Sequence, residues 1–96
     1  MAIQSFADKV TEQFFVTGRV DAGRGWAGIH KAVRRKLDML HYAFRLTDLK
    51  SPPGNRLEAL KGKLQGHYSI RINDQWRVVF QWNASGPSQV RVTDYH

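Results

Sequence analysis

The spacing of apolar residues divides the chain into a helix-forming first half and a strand-forming second half. Up to residue 46, apolar positions recur every three or four residues, the period of a helix with one buried face. From residue 67 onward they alternate with polar positions, the period of a half-buried strand. Between the halves, Ser51–Asn55 (SPPGN) interrupts any helix, because proline lacks an amide hydrogen and its ring clashes with the preceding turn.

A short strand and a first helix are predicted at the start of the chain. The strand covers Ile3–Phe6. Asp8 then caps a helix that runs to about Thr17, since an aspartate side chain can accept hydrogen bonds from the first amides of a helix. Gly18 ends this helix, because glycine readily adopts the left-handed backbone that closes one.

A longer second helix is predicted from Trp26 to Leu46. Its apolar residues form one stripe, which we expect to face the sheet. The stripe consists of Ile29, Val33, Leu37, Leu40 and Phe44. His30 and His41 are predicted to lie on the surface of this helix.

Three strands are predicted in the second half, joined by a tight turn at Asn73–Gln75 and a looser one at Ala84–Ser88. One side of these strands is apolar and is expected to pack on the helices. Its members are Tyr68, Ile70, Ile72, Trp76, Val78, Phe80, Trp82, Val90 and Val92. The sequence therefore predicts a single α+β domain over residues 1–96, with a short N-terminal strand and two helices on one face of a twisted, mainly antiparallel sheet.

Charge narrows the choice of partners. Fifteen lysines and arginines against eight acidic residues give a net charge of +7. Nucleic acid is an obvious partner for such an excess, although an acidic protein would satisfy it equally. The chain has no cysteine, no basic and apolar leader and no apolar run of membrane-spanning length, so we expect a cytoplasmic protein without membrane association.

The second face of the predicted sheet carries most of the candidate chemistry. Strand parity places there His67, Arg71, Arg77, Arg91 and Tyr95. A basic, partly aromatic sheet face is suited to a single RNA strand, because arginine binds phosphate and tyrosine or histidine can stack on a base. We expect this face to be open to solvent.

The chain ends in Asp94-Tyr95-His96, which supplies a carboxylate, a phenol and an imidazole. Because the triplet continues a strong strand, it could be an ordered catalytic set. Chain ends are commonly loose, however, and the residues alone leave both interpretations open. The four histidines show none of the usual metal-ligand spacings, and no glycine-rich phosphate loop is present, so neither a metal nor a cofactor is predicted. Lysine, arginine, tyrosine, histidine and carboxylates suit metal-free RNA cleavage, in which the substrate 2′-hydroxyl is the nucleophile.

Several ordered segments resemble the HigB-type (plasmid maintenance killer) toxins of the RelE/ParE superfamily. They are Pro52–Gly62, Tyr68–Phe80 and Asp94–His96, and the start Ile3–Asp8 and the helix from Trp26 agree with them. The resemblance covers essentially the whole chain. It implies the RelE-like microbial RNase fold and a toxin that cleaves mRNA in the ribosomal A site.

The resemblance also implies roles for individual residues. Lys61 and Arg77 match the lysine and arginine expected to hold the scissile phosphate and offset its developing charge. Tyr95 would orient or stack the nucleotide. His96 would transfer the proton, with Asp94 as its orienter or as an alternative base.

Two positions depart from some relatives. Glu58 stands where they carry histidine, and it is either a base or a salt-bridge partner of Lys61. Asn73 stands where they carry arginine, so we expect Asn73 to be an RNA contact and Arg71, at the same strand parity, to supply the missing cation. Arg91 and His67 complete the expected RNA-binding set.

The family pattern implies several partners: the ribosome and its mRNA, a helix-turn-helix antitoxin of the HigA type, and operator DNA bound through the toxin–antitoxin complex. Three rival functions share the same features. They are a ParE-like poison of DNA gyrase, a non-catalytic RNA-binding module, and a domain whose charge serves only an acidic partner.

Overall fold

A computed structural model of the chain describes residues 2–23 and 25–94. Two helices precede a four-stranded sheet; its last three strands were predicted from the sequence, whereas its short first strand was not. The helices are α1 (Lys9–Thr17) and α2 (His30–Tyr42), and the strands are β1 (Glu58–Ala59), β2 (His67–Arg71), β3 (Trp76–Asn83) and β4 (Gly86–Asp94). The order across the sheet is β1-β2-β3-β4, and every neighbouring pair is antiparallel.

The predicted N-terminal strand lies beside β4 as an extended segment. Phe6 forms a single parallel bridge with Val90. The Gln4 amide donates to the Pro87 carbonyl at 2.8 Å, and the Ala7 amide donates to the Val90 carbonyl at 2.9 Å. The segment therefore covers the free edge of β4, the kind of edge that otherwise invites pairing with other chains.

The first helix has the ends that the sequence predicts. The Asp8 carboxylate accepts a hydrogen bond from the Thr11 amide at 2.7 Å, which satisfies one of the unpaired amides of the first turn. Gly18 closes the helix with a left-handed backbone, φ 77°. Phe14 is buried on the face of α1 that packs against the core.

The second helix is shorter than predicted, and both predicted ends are wrong. A 3-10 turn at Ala27–Ile29 precedes α2, and the helix stops at Tyr42 because Ala43 has an extended backbone. The Asp48 carboxylate then accepts from the amides of Phe44, at 3.0 Å, and Arg45, at 2.9 Å, so a local loop replaces the expected last turn. Within residues 2–23 and 25–94, no helix is both long and apolar enough to cross a membrane.

The predicted apolar stripe is correct except at its end. Val33, Leu37 and Leu40 are fully buried, whereas Phe44 lies beyond the helix and is 72% exposed. His30 is exposed, as predicted. The prediction for His41 is wrong: the ring is half-buried, its Nδ1 accepts from the Ile3 amide at 3.2 Å, and it packs against Phe15.

The core lies between the helices and one face of the sheet. From the sheet it takes the apolar side chains of alternating positions, listed by strand as Ile70, Val78, Phe80, Val90 and Val92. Tyr68, Ile72, Trp76 and Trp82 share this parity but are only partly buried at its margins. Alternation therefore predicted the correct face for every one of these residues, although not the depth of each.

The two hairpins of the second half differ in how well they were predicted. The connection between β2 and β3 covers residues 72–75, one residue more than the predicted Asn73–Gln75, because β2 ends at Arg71. The connection after β3 is tighter than expected, because Asn83 pairs with Gly86 and leaves only Ala84–Ser85 in the turn. Gly86 has φ 112°, a backbone angle that glycine adopts readily, and this allows β4 to begin directly after the turn. The looser loop predicted over residues 84–88 is therefore wrong.

Candidate functional site

Four of the predicted site residues, Arg71, Arg77, Arg91 and His67, lie on the sheet face that points away from the helices. Their register forms two rows across the strands, because residues paired between antiparallel strands share a face. One row contains Arg71, Arg77 and Thr93. The next row contains Glu58, Ser69, Val79 and Arg91. His67 follows on the same face, beside Gln81.

Arg77 is fixed between two side chains of neighbouring strands. Its Nη1 lies 3.1 Å from the Glu58 Oε1 and donates to the Ser69 Oγ at 3.1 Å. Arg77 is 9% exposed, whereas the Glu58 side chain is 43% exposed. The carboxylate of the edge strand thus reaches inward to hold a nearly buried guanidinium. Of the two alternatives for Glu58, the salt bridge to Lys61 is wrong, because the Glu58 carboxylate pairs with Arg77, and the role of base stays a prediction.

The segment that follows β1 folds over this face, so the prediction of an open face is wrong. Val79 points away from the helices, yet it is only 1% exposed, and Ser69 beside it is fully buried. Leu60, Lys61 and Leu64 lie across the face and, with residues of β3 and β4, line a half-open cavity of about 380 Å³. We call this space the sheet cavity; its lining is Leu60, Lys61, Leu64, Val79, Arg91, Thr93 and Asp94.

The lining of the sheet cavity includes three predicted site residues, Lys61, Arg91 and Asp94. Asp94 pairs with Trp76, so its side chain leaves the strand on the opposite face, at the end of the sheet. Within residues 2–23 and 25–94, neither Lys61 nor Arg91 forms an ion pair. The Asp94 carboxylate accepts a hydrogen bond from the Gln75 side-chain amide at 2.9 Å. A larger depression of about 960 Å³ lies at the connection between α1 and α2, and its described lining contains none of the predicted site residues.

Arg71 and Asn73 are engaged in the turn between β2 and β3. Arg71 pairs with Asp74. The Asn73 carbonyl oxygen accepts from the Gln75 and Trp76 amides, both at 2.8 Å, which stabilises the tight turn. Their proposed contact with RNA stays a prediction.

His67 lies on the same face, half-buried, and its Nδ1 is buried without a hydrogen-bond partner among the described residues. Tyr95 and His96, the predicted stacking and proton-transfer residues, lie outside the described residues. The structure does show that strand β4 reaches Asp94, the residue before them. The part of the chain that the structure describes contains no group of His, Asp or Glu side chains arranged to hold a metal ion.

Sequence reasoning missed the residues that complete the surroundings of this site. Ser69 and Thr93 have the same strand parity as Arg71 and Arg91, so alternation alone contained the signal for both. Gln75 was treated only as a turn residue, and its contact with Asp94 depends on the pairing of β3 with β4. Together the site offers fixed cations, a carboxylate and an apolar recess, which suits binding of a phosphodiester and its base.

Comparison with known proteins identifies the family. A model described as the RelE-like toxin of the type II toxin–antitoxin system HigB matches residues 4–96. Toxin HigB-1 of Vibrio cholerae serotype O1 is 44% identical over 82 residues, which are 85% of this chain and 84% of that protein. The chain belongs to the HigB-like toxin family. An uncharacterized protein of Haemophilus influenzae is 41% identical over 56 residues, 58% of this chain and 55% of that protein.

A solved structure supports the fold of this HigB-like chain independently. The YoeB/ParE toxin from Agrobacterium tumefaciens superposes with a TM-score of 0.57 at 20% identity, and the match covers all of both chains. The RelE-like fold predicted from the sequence is therefore confirmed, as is the resemblance to HigB-type toxins. Membership of this family assigns the chain to type II toxin–antitoxin systems.

Proposed function

We propose that this HigB-like toxin is a ribosome-dependent endoribonuclease that cuts translated mRNA in the ribosomal A site and thereby arrests growth. One observation carries the proposal. In a chain of this family, a nearly buried arginine, Arg77, is fixed by Glu58 and Ser69 on the same sheet face as a cavity lined by Lys61 and Arg91. A net charge of +7 supports a polyanionic substrate.

The reaction needs no external nucleophile. The 2′-hydroxyl of the RNA attacks the adjacent phosphorus as a base removes its proton, and the bond to the 5′-oxygen breaks as an acid protonates that oxygen. The products are a 2′,3′-cyclic phosphate and a 5′-hydroxyl. Cations close to the phosphate stabilise the charge that develops in the transition state.

The roles proposed for Arg77, Lys61 and Glu58 rest on their positions, and those proposed for Tyr95 and His96 rest on the family resemblance. Arg77 and Lys61 bind the scissile phosphate, and Glu58 is a positioning residue that orients the Arg77 guanidinium. Tyr95 orients or stacks the nucleotide, and His96 transfers the proton with Asp94 as its orienter or as an alternative base. A histidine titrates near neutral pH, which suits it to proton transfer.

The proposed partners follow from membership of a toxin–antitoxin family. An antitoxin of the helix-turn-helix HigA type neutralises the toxin in the cytoplasm, and their complex binds operator DNA. The ribosome positions the mRNA, so the free protein is expected to cut naked RNA poorly. An assay without ribosomes is therefore a control and not the test.

Primer extension across a reporter mRNA tests the proposal, after brief induction in cells and in a reconstituted translation mix with and without ribosomes. We expect discrete cuts that require ribosomes and disappear in Arg77→Ala. Arg35→Ala, on the exposed face of α2, controls for loss of one positive charge. Circular dichroism confirms that each variant is folded.

Two other outcomes would contradict the proposal and identify its rivals. Growth arrest with intact mRNA would favour a ParE-like gyrase poison. Intact mRNA in growing cells, together with retained RNA binding, would favour a non-catalytic RNA-binding module.

A further inference from the structure

The sheet cavity has an apolar floor that phosphate binding alone does not explain. Leu60 and Leu64, both half-buried, supply its accessible apolar surface, and Val79, which is only 1% exposed, lies beneath it. These side chains come from β3 and from the segment after β1, so the apolar patch exists only because that segment folds across the sheet. A phosphate placed there would lose its hydration against hydrocarbon, which is costly.

The edge of the cavity is polar on the side of β4. Arg91 is the strand neighbour of Val79, so its side chain leaves the sheet directly beside the apolar floor. Thr93 follows two residues later on the same face. Arg91 is half-buried and, within residues 2–23 and 25–94, makes no ion pair, unlike Arg71 and Arg77.

The volume of the cavity suits a small ligand group. At about 380 Å³ the cavity lies near the lower end of the roughly 300–1,000 Å³ typical of small-molecule sites. An unpaired nucleobase has a flat apolar face and a polar edge, which match an aliphatic floor and a polar margin. A base-paired duplex keeps its bases stacked and could not place one here.

We propose that the sheet cavity is a subsite for one unpaired nucleobase, that Leu60 and Leu64 pack on the face of the base, and that Arg91 favours guanine. Arginine offers only donors, and guanine presents two adjacent acceptors, O6 and N7, that a guanidinium binds together. Adenine replaces O6 with an amino group, which repels the same donors. This inference rests on the proposed function, since the base belongs to the RNA that the toxin cuts.

The test compares cleavage of mRNAs that differ at single positions around one cut site in the reconstituted translation mix. We expect guanine at one fixed position to raise the cleavage rate about tenfold over the other bases. Arg91→Gln should abolish this preference and shift it toward adenine, because a carboxamide pairs with adenine N6 and N7. Lys63→Gln removes the same charge from a neighbouring exposed residue outside the cavity lining and should keep the guanine preference.

The outcomes separate this inference from the proposed function. Cleavage that shows the same base preference in the wild type and Arg91→Gln would overturn the base subsite while leaving the nuclease intact. Absence of any cleavage by the wild type would instead overturn the proposed function.

A binding measurement then decides the subsite on its own. Methyl resonances of Leu60, Leu64 and Val79 should shift with a short single-stranded oligonucleotide that contains guanine, and shift less with its adenine counterpart. Equal shifts, or none at these methyls, would overturn the subsite in either case.

Discussion

The Lys36 ammonium donates a hydrogen bond to the Asn55 side-chain oxygen at 2.5 Å, beneath the segment that leads into the candidate site. Asn55 is fully buried, and its amide nitrogen donates to the Leu49 carbonyl at 3.1 Å and the Ser51 carbonyl at 3.3 Å. Lys36 belongs to α2, so one buried contact joins this helix to the loop from which β1 emerges. Only two residues separate Asn55 from Glu58, the partner of Arg77.

Replacing Lys36 with methionine is expected to destabilise the protein by about 1–3 kcal/mol, because the Asn55 oxygen stays buried without its donor. Methionine has a similar length, so packing changes little. Urea denaturation followed by circular dichroism measures the free energy of unfolding. Lys31→Met changes an exposed lysine of the same helix and is the matched control. Equal stability of the two variants would contradict the role assigned to this contact.

The same lysine makes a pH dependence testable. Burial, with a smaller effect from Arg35, lowers the pKa of Lys36 below its usual range. Between the lowered pKa and about 10.4, the unfolded chain holds a proton that the folded protein has released, so stability rises with pH. The free energy of unfolding of the wild type should therefore increase relative to Lys36→Met as the pH rises through the lowered pKa toward about 10.4. A difference that stays constant or falls over this interval would contradict the direction.

Periodicity predicted the fold well because local spacing and the buried faces agree. Asp8 and Gly18 define α1 by contacts within the helix, and the alternation around Val78 identifies the core face of the sheet. The predicted end of α2 is wrong because the Asp48 carboxylate accepts hydrogen bonds from the amides of Phe44 and Arg45. Helix propensity does not indicate such a contact from further along the chain.

The site was predicted only in part, for a related reason. Strand parity placed Arg77 and Arg91 on one face, as the structure confirms. Parity does not show that the segment carrying Lys61 folds back over that face, nor that Glu58 pairs with Arg77. Both contacts depend on the register of β1 against β2. A strand of only two residues is too short for its alternation pattern to predict that register.

Gly25 lies against the ring of Trp76 and has no room for a side chain. A Cβ added there would lie 2.7 Å from a carbon of the Trp76 ring. Gly25→Ala should therefore displace the ring and cost about 1–3 kcal/mol of stability. Thermal unfolding and tryptophan fluorescence measure the two effects. Gly23→Ala, whose Cβ would meet nothing within 4 Å, should leave both nearly unchanged, and equal behaviour of the two variants would argue against a steric cause.

Glu58→Gln separates orientation of Arg77 from proton transfer. Glutamine keeps an oxygen that can accept from the Arg77 guanidinium but cannot act as a base at neutral pH. If Glu58 orients Arg77, ribosome-dependent cleavage should fall by less than about tenfold, since loss of a general base typically costs about 10²–10⁴-fold. Glu58→Ala, which removes the acceptor as well, should be more damaging than glutamine.

The pH profile of single-turnover cleavage gives the second readout for this pair. A positioning role predicts that Glu58→Gln lowers the rate at every pH and leaves the acidic limb of the profile in place, because another group carries the proton. Loss of that limb together with a thousandfold fall in rate would make Glu58 the base. In that case His96 would be left as the acid that protonates the 5′-oxygen, and the alkaline limb should then disappear in His96→Gln.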